Sequence, residues 1–111
     1  MESRAVIKYI RMSPRKVRRV ADTVRGQRVE EALNYLKVLP HAAAKPLAKA
    51  IKSAAANAED VHGLSADDLY IARITADEGP RMKRWQAGPR GRAKPYVKRS
   101  THITVVVSEK G

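Results

Sequence analysis

The sequence predicts an α+β fold: a small three-stranded antiparallel sheet with three helices packed on one face and a long protruding β-hairpin. Two observations predict the layered part. One strand pattern precedes three amphipathic helix patterns, and two strand patterns follow them. A third observation predicts the hairpin, since residues 81–100 separate the last two strands and contain almost nothing that could form a core. We expect the 111 residues to make one domain, with residues 81–100 as its extended basic β-hairpin.

The first elements are a strand over residues 5–10 and a helix that starts at Pro14. Ser13 and Pro14 predict this start, because Ser is favoured at the N-cap and Pro at the first helical position. Gly26 predicts the end of the helix. Its apolar residues have i, i+3, i+4, i+7 spacing and form one stripe. They are Val17, Val20, Ala21 and Val24.

Two more helices and two strands follow. The second helix covers residues 29–39, with Glu30 and Glu31 at the positive end of its dipole and Pro40 after it. The third helix covers residues 42–58, and its Ala-rich inner face allows a neighbouring element to approach closely. Turns are predicted over residues 57–63 and 65–68. Strands are predicted over residues 69–76 and 102–107, which are rich in β-branched side chains.

The connection between the last two strands is too long for an ordinary hairpin loop. Two interpretations fit it. Residues 81–100 form a disordered basic loop, or the strands continue outward as a ribbon that turns within residues 87–91 and reaches roughly 30 Å. A two-stranded ribbon is marginal in water by itself. The ribbon interpretation therefore requires a stabilising partner outside the domain, and the side chains indicate a polyanion.

Charge is concentrated in two regions of the chain. The net charge is +12 and the pI about 10.5. Residues 1–28 carry nine bases against two acids, and residues 81–100 carry eight bases and no acid. Residues 29–80 between them carry five bases and eight acids. This distribution predicts an anionic partner, with nucleic acid as the first choice and a membrane surface as the second.

Residue types that support catalysis or metal binding are sparse or badly placed. The chain has no Cys, and its three His residues lie far apart in the sequence. Its paired acids are adjacent residues, which point in different directions, and no glycine-rich loop matches a phosphate-binding motif. We therefore expect no enzyme activity, no metal and no cofactor. No apolar run approaches the length of a membrane span and no signal peptide is visible, so we expect a soluble intracellular protein without a membrane partner.

Five segments together resemble the bacterial-type L-twenty-two family of large-subunit ribosomal proteins, in that family's order and spacing. They are YIRMSPRKVRRVADTVRG, SAAANAED, DEGPRMKR, GRAKP and THITVVV. The resemblance implies a domain on the outer face of the large subunit and a hairpin that enters ribosomal RNA and lines the nascent-peptide exit tunnel. The implied partners are large-subunit (23S-type) ribosomal RNA, neighbouring ribosomal proteins near the tunnel exit and the nascent peptide. A role in subunit assembly is also implied. The implied location is the cytoplasmic ribosome, with an organellar ribosome left open.

The basic residues of both regions are the predicted RNA contacts, because Arg and Lys bind phosphates and helix N-termini attract anions. The predicted rRNA-binding residues are Arg11, Ser13, Arg15, Lys16, Arg18, Arg19, Arg25, Arg81, Lys83, Arg84, Trp85, Arg90, Arg92, Lys94, Lys98 and Arg99. The resemblance implies a tunnel-lining tip formed by Gln86, Ala87, Gly88, Pro89, Arg90 and Gly91.

Four points stay open here. The basic residues could form an ordinary solvated surface. Trp85 could stack on a base or pack against its own hairpin. The tip sequence RWQAGPRGRA also departs from the family pattern KRxxPRARGRA. The alternative function is a free-standing nucleic-acid-binding regulator, although no sequence-reading element or dimer seam is apparent.

Overall fold

A computed structural model describes residues 2–79, 82–87, 93–98 and 100–109. The strands are β1 (Glu2–Ile10), β2 (Leu69–Glu78), β3 (Met82–Ala87), β4 (Ala93–Lys98) and β5 (Thr101–Glu109). The helices are α1 (Pro14–Val24), α2 (Val29–Val38) and α3 (Ala44–His62), and a short 3-10 helix covers Ala66–Asp68. The predicted α+β class is confirmed.

The main sheet has three antiparallel strands in the order β1-β5-β2. Val105 at its centre pairs with Ala5 on one side and with Ile74 on the other. Side chains alternate between two faces along a strand. Ala5, Ile74 and Val105 are buried on the face that the helices cover. The opposite face exposes Arg4 and Lys8 of β1 and Arg73 of β2.

The helices form one layer over the buried face of the sheet. α3 packs against β1 and β5, α1 packs against β2, and α2 packs against α3. Ala50, Ala54 and Ala58 of α3 are fully buried, and their small side chains let the helix approach the sheet closely. The predicted stripe of α1 is buried in full, which fixes the rotation of this helix on the core.

The end of the third helix is where the predicted bounds differ most from the structure. It continues to His62, so the turn predicted over residues 57–63 is wrong. Gly63 ends the helix in the left-handed conformation, with φ 66°. Its N–H donates to the Glu59 carbonyl, and the Leu64 N–H donates to the Ala58 carbonyl. Asn57 and Asp60 suggested a turn, but both are exposed residues of a helix that is stabilised by packing of its buried residues, such as Ala54 and Ala58.

The hairpin strands pair with each other in a separate two-stranded sheet. Trp85 is opposite Pro95, and Ala87 is opposite Ala93. The ribbon interpretation is thus confirmed over residues 82–87 and 93–98, whereas most of the predicted turn lies outside the described residues. The radius of gyration is 17.0 Å, above the roughly 13 Å of a compact domain of this length.

The ribbon leaves the main sheet where β2 and β5 meet. The Gly79 N–H donates to the Ser100 carbonyl at 2.9 Å, which continues the pairing of the two strands. A Cβ at Gly79 would overlap Ser100 Oγ and would lie 3.1 Å from the His102 ring. Buried Thr101 donates from Oγ1 to the Met12 carbonyl at 2.6 Å, so the start of β5 is tied to the segment before α1.

Candidate nucleic-acid interface

The cations of α1 are exposed because its apolar stripe is buried. Successive residues of a helix are about 100° apart. Because Val17, Val20, Ala21 and Val24 face the core, the remaining positions divide into two flanks and an outer side. The five predicted RNA-binding cations of this helix and its end are all exposed. They are Arg15, Lys16, Arg18, Arg19 and Arg25.

One flank of α1 bonds to the free edge of β2. Arg18 Nε donates to the Ala76 carbonyl at 2.9 Å, and Arg25 Nη2 donates to the Ile74 carbonyl at 2.8 Å. Arg25 also pairs with Asp22. These carbonyls lie on the side of β2 that does not pair with β5, so the guanidinium groups close an edge that would otherwise be open to another strand.

The segment after α1 closes the rest of the same edge. The Gly26 N–H donates to the Ile71 carbonyl at 3.1 Å, and the Ile71 N–H donates to the Gln27 carbonyl at 2.9 Å. Gly26 has φ 82°, which suits glycine and directs the chain along the strand. Arg18 and Arg25 therefore have partners within the protein. RNA contact through their other N–H donors stays a prediction.

The other flank and the outer side of α1 keep their cations exposed. An open cleft of about 670 Å³ lies between the start of α1 and the loop that joins α2 to α3. Arg11, Lys16, Arg19 and His41 line it, and no described acidic residue does. Arg15 is exposed on the outer side. A concave surface with several cations and no acid attracts the phosphates of a nucleic acid backbone.

Ser13 occupies the N-cap of α1, as predicted, with ψ 144° and Pro14 after it. Its side chain makes no capping hydrogen bond within the described part of the chain. Ser13 also lines the cleft. The first-turn N–H groups of a helix attract anions. A phosphate contact at Ser13 stays a prediction that the position of the residue allows.

The second basic region includes the two strands of the hairpin. Lys83, Arg84 and Trp85 lie on β3, and Lys94 and Lys98 lie on β4. Gln86 and Ala87 of the predicted tip end β3. Arg81, Arg90, Arg92 and Arg99 lie outside the described residues, as do Gly88, Pro89 and Gly91. RNA contacts of this region and the two interpretations of Trp85 stay predictions.

Tyr9 and His102 form a pair that the sequence analysis did not select. Their ring centroids are 5.0 Å apart at 88°, and the Tyr9 N–H donates to His102 Nδ1 at 3.1 Å. Tyr9 is 65% exposed. The available signal was an aromatic residue between the cations Lys8 and Arg11, a combination typical of nucleic-acid-binding surfaces.

The described residues also limit other kinds of site. They contain no group of three or more His, Asp or Glu side chains arranged to hold a metal ion. Within the same ranges, no helix has the length and apolar character needed to cross a membrane.

Comparison with known proteins gives one consistent result. Residues 5–108 match the family described as ribosomal protein L22p/L17e. Proteins from Thermoanaerobacter sp. (strain X514) and Clostridioides difficile (strain 630) are 52% and 51% identical over 110 residues, with 99% of each chain covered. A protein from Halothermothrix orenii (strain H 168) is 50% identical and is covered over 97% of its length. All three are named large ribosomal subunit protein uL22.

The class that these observations define is a structural ribosomal protein and not an enzyme. The chain belongs to the ribosomal protein L22p/L17e family. The family resemblance drawn from the sequence motifs is therefore confirmed.

Proposed function

We propose that this protein binds large-subunit ribosomal RNA through two basic surfaces and supports assembly of the subunit. The first surface consists of Arg11, Arg15, Lys16 and Arg19 around the start of α1. The second is the hairpin strands β3 and β4 with the segments that flank them. The observation that carries the proposal is the cationic cleft at the start of α1, whose described lining has no acid.

Phosphate contact explains why the first surface needs charge and shape but no sequence-reading side chains. A nucleic acid that binds cations releases its condensed counterions, so the affinity falls steeply with salt. Such contacts position a protein on RNA without discriminating bases. The buried apolar stripe and the bonds of Arg18 and Arg25 to β2 hold α1 in one orientation, so that its outer cations meet the RNA as a group.

The hairpin is proposed to enter the RNA and to line the nascent-peptide exit tunnel with residues 86–91. Its strands pair only with each other among the described strands, and a two-stranded ribbon is marginal in water without further packing. Surrounding phosphates would neutralise the eight bases of residues 81–100. The proposed partners are ribosomal RNA, ribosomal proteins near the tunnel exit and the nascent peptide, and the proposed location is the cytoplasmic ribosome.

Sedimentation tests the proposal. A lysate of the source cells is separated on a sucrose gradient at low salt, and the protein is detected with an antibody. We expect it in the large-subunit peak and in intact ribosomes. A predominantly free pool would refute the proposal. A free-standing regulator would instead remain outside the ribosomal peaks and bind unrelated duplexes as tightly as ribosomal RNA.

A further inference from the structure

Tyr9 is held in an unusual backbone conformation. Its φ is 63°, and it is the only residue other than glycine with positive φ among the described residues. The pairing of β1 with β5 is interrupted between Ile7 and Ile10, so Tyr9 lies in a bulge. An L-residue with a Cβ avoids this conformation, and a Tyr there is strained. Strain of this kind persists where the surroundings enforce it, and it is often associated with function.

His102 contacts both the backbone and the ring of Tyr9. The Tyr9 N–H donates to His102 Nδ1 at 3.1 Å, and the two rings meet edge to face. An interplanar angle of 88° means that His102 does not stack on Tyr9 in parallel. Tyr9 is also exposed in the bulge, with 65% of the residue accessible. Burial in the core does not explain this residue.

The surroundings of Tyr9 favour a nucleic acid as the group that covers it. Lys8 and Arg11 are exposed on either side in sequence. His102 lies against Gly79, at the root of the hairpin. Tyr9 belongs to the first basic region and contacts His102 next to Gly79, so RNA phosphates held by the cations around Tyr9 bring bases close to its ring. A phosphate does not stack on a phenol ring, whereas every nucleobase has a π-face that does.

We propose that Tyr9, positioned by His102 at the root of the hairpin, is a stacking platform for an unpaired nucleobase of the large-subunit RNA. This inference rests on the proposed RNA-binding function and adds a base contact to its phosphate contacts. The platform is tolerant of base identity, because stacking reads no hydrogen-bonding edge. It fixes where the RNA strand turns relative to the hairpin.

The test compares variants of the full chain for binding to an in vitro transcript of large-subunit ribosomal RNA. The RNA is that of Thermoanaerobacter sp. (strain X514), whose protein is 52% identical to this chain. Tyr9→Leu removes the aromatic ring and keeps an apolar side chain. Tyr9→Phe keeps the ring. Tyr9→Gly removes the ring and also relieves the strain, since glycine adopts positive φ readily. Tyr35→Leu on α2 is the matched control, because Tyr35 is also exposed.

We expect Tyr9→Leu and Tyr9→Gly to weaken binding by roughly 5- to 150-fold, the range for loss of one stacked base. Tyr9→Phe and Tyr35→Leu should bind within about 2-fold of the wild type. The slope of log affinity against log salt should stay unchanged in all variants, because no phosphate contact is lost. The melting temperature of Tyr9→Gly should be no lower than that of the wild type, so unfolding cannot cause its loss of affinity.

Two outcomes overturn the inference in different ways. If the wild type does not bind the transcript, the proposed function fails and the platform fails with it. If the wild type binds and Tyr9→Leu binds equally well, the platform alone is wrong and the RNA-binding function stands. Ultraviolet crosslinking gives a second measurement, in which a nucleotide attached to the tryptic peptide that contains Tyr9 supports the platform.

Discussion

The two sides of α1 carry the same residue types in different surroundings. On one flank, Arg18 and Arg25 bond to the carbonyls of Ala76 and Ile74 and close the edge of the sheet. On the outer side and the other flank, Arg15, Lys16 and Arg19 are exposed, and the last two line the cationic cleft. A run of arginines in one helix is therefore not one binding surface. The core stripe decides which arginines bond to the sheet and which have no such bond among the described residues.

Removing the outer cations gives the largest expected effect. The triple variant Arg15→Gln, Lys16→Gln, Arg19→Gln should lose about 10- to 100-fold in affinity for large-subunit ribosomal RNA, because about three phosphate contacts are lost. The slope of log affinity against log salt should become shallower by about 2 to 3. Filter binding over a salt series measures both. An unchanged slope would show that these residues are an ordinary solvated surface.

The arginines that bond to β2 should affect stability instead. The double variant Arg18→Ala, Arg25→Ala should lower the free energy of unfolding by about 2 kcal/mol, at about 1 kcal/mol for each partly exposed hydrogen bond. Urea denaturation measures this change. The matched control is Arg15→Ala, Arg19→Ala, which should change the free energy of unfolding by less than about 0.5 kcal/mol. Equal losses in the two double variants would contradict the division of roles.

Loss of the hydrogen bond between β5 and the segment before α1 should lower the free energy of unfolding by a smaller amount. Thr101→Val keeps the shape of the side chain and removes the hydroxyl that donates to the Met12 carbonyl. We expect a loss of about 1–2 kcal/mol, the usual cost of an unsatisfied buried acceptor. Thr101→Ser keeps the hydroxyl and should retain more stability in the same denaturation experiment. A Val variant as stable as the wild type would mean that water replaces this bond.

The N-cap should give the smallest effect. An N-cap Ser usually contributes about 1 kcal/mol through its side-chain bond, but Ser13 makes no such bond. Ser13→Ala should therefore reduce stability by less than about 0.5 kcal/mol. Thermal denaturation of the two proteins measures the difference. A loss of 1 kcal/mol or more would show that Ser13 caps the helix in solution.

Much of the fold could be predicted because the apolar periodicity is clear. The stripe of α1 identified buried residues such as Val17, and the β-branched residues over 102–107 identified the central strand β5. The end of α3 could not be located, because the residues after Ala58 favour turns locally and are mostly exposed, so no apolar pattern marks them as helix. Local patterns also cannot show which cation meets a strand edge. Arg18 and Arg25 contact residues 58 and 49 positions away in the sequence.

The Tyr9–His102 pair shows the same limit for the site. The two residues are 93 positions apart, and no sequence motif around either one predicts contact with the other. The positive φ of Tyr9 arises from the register shift between β1 and β5, which only the paired strands define. Charge clustering, by contrast, needs no tertiary information. It located both basic regions directly.

Chemical modification of arginines, measured by mass spectrometry, most directly tests the central claim that the arginines of α1 and its end divide into RNA-binding residues and residues that bond to β2. The protein is treated with an arginine-specific dicarbonyl reagent when free and when bound to large-subunit ribosomal RNA. Arg15 and Arg19 should react fast in the free protein and slowly in the complex, whereas Arg18 and Arg25 should react slowly in both. If RNA leaves the rates of Arg15 and Arg19 unchanged, the outer side of α1 is not the RNA-binding surface.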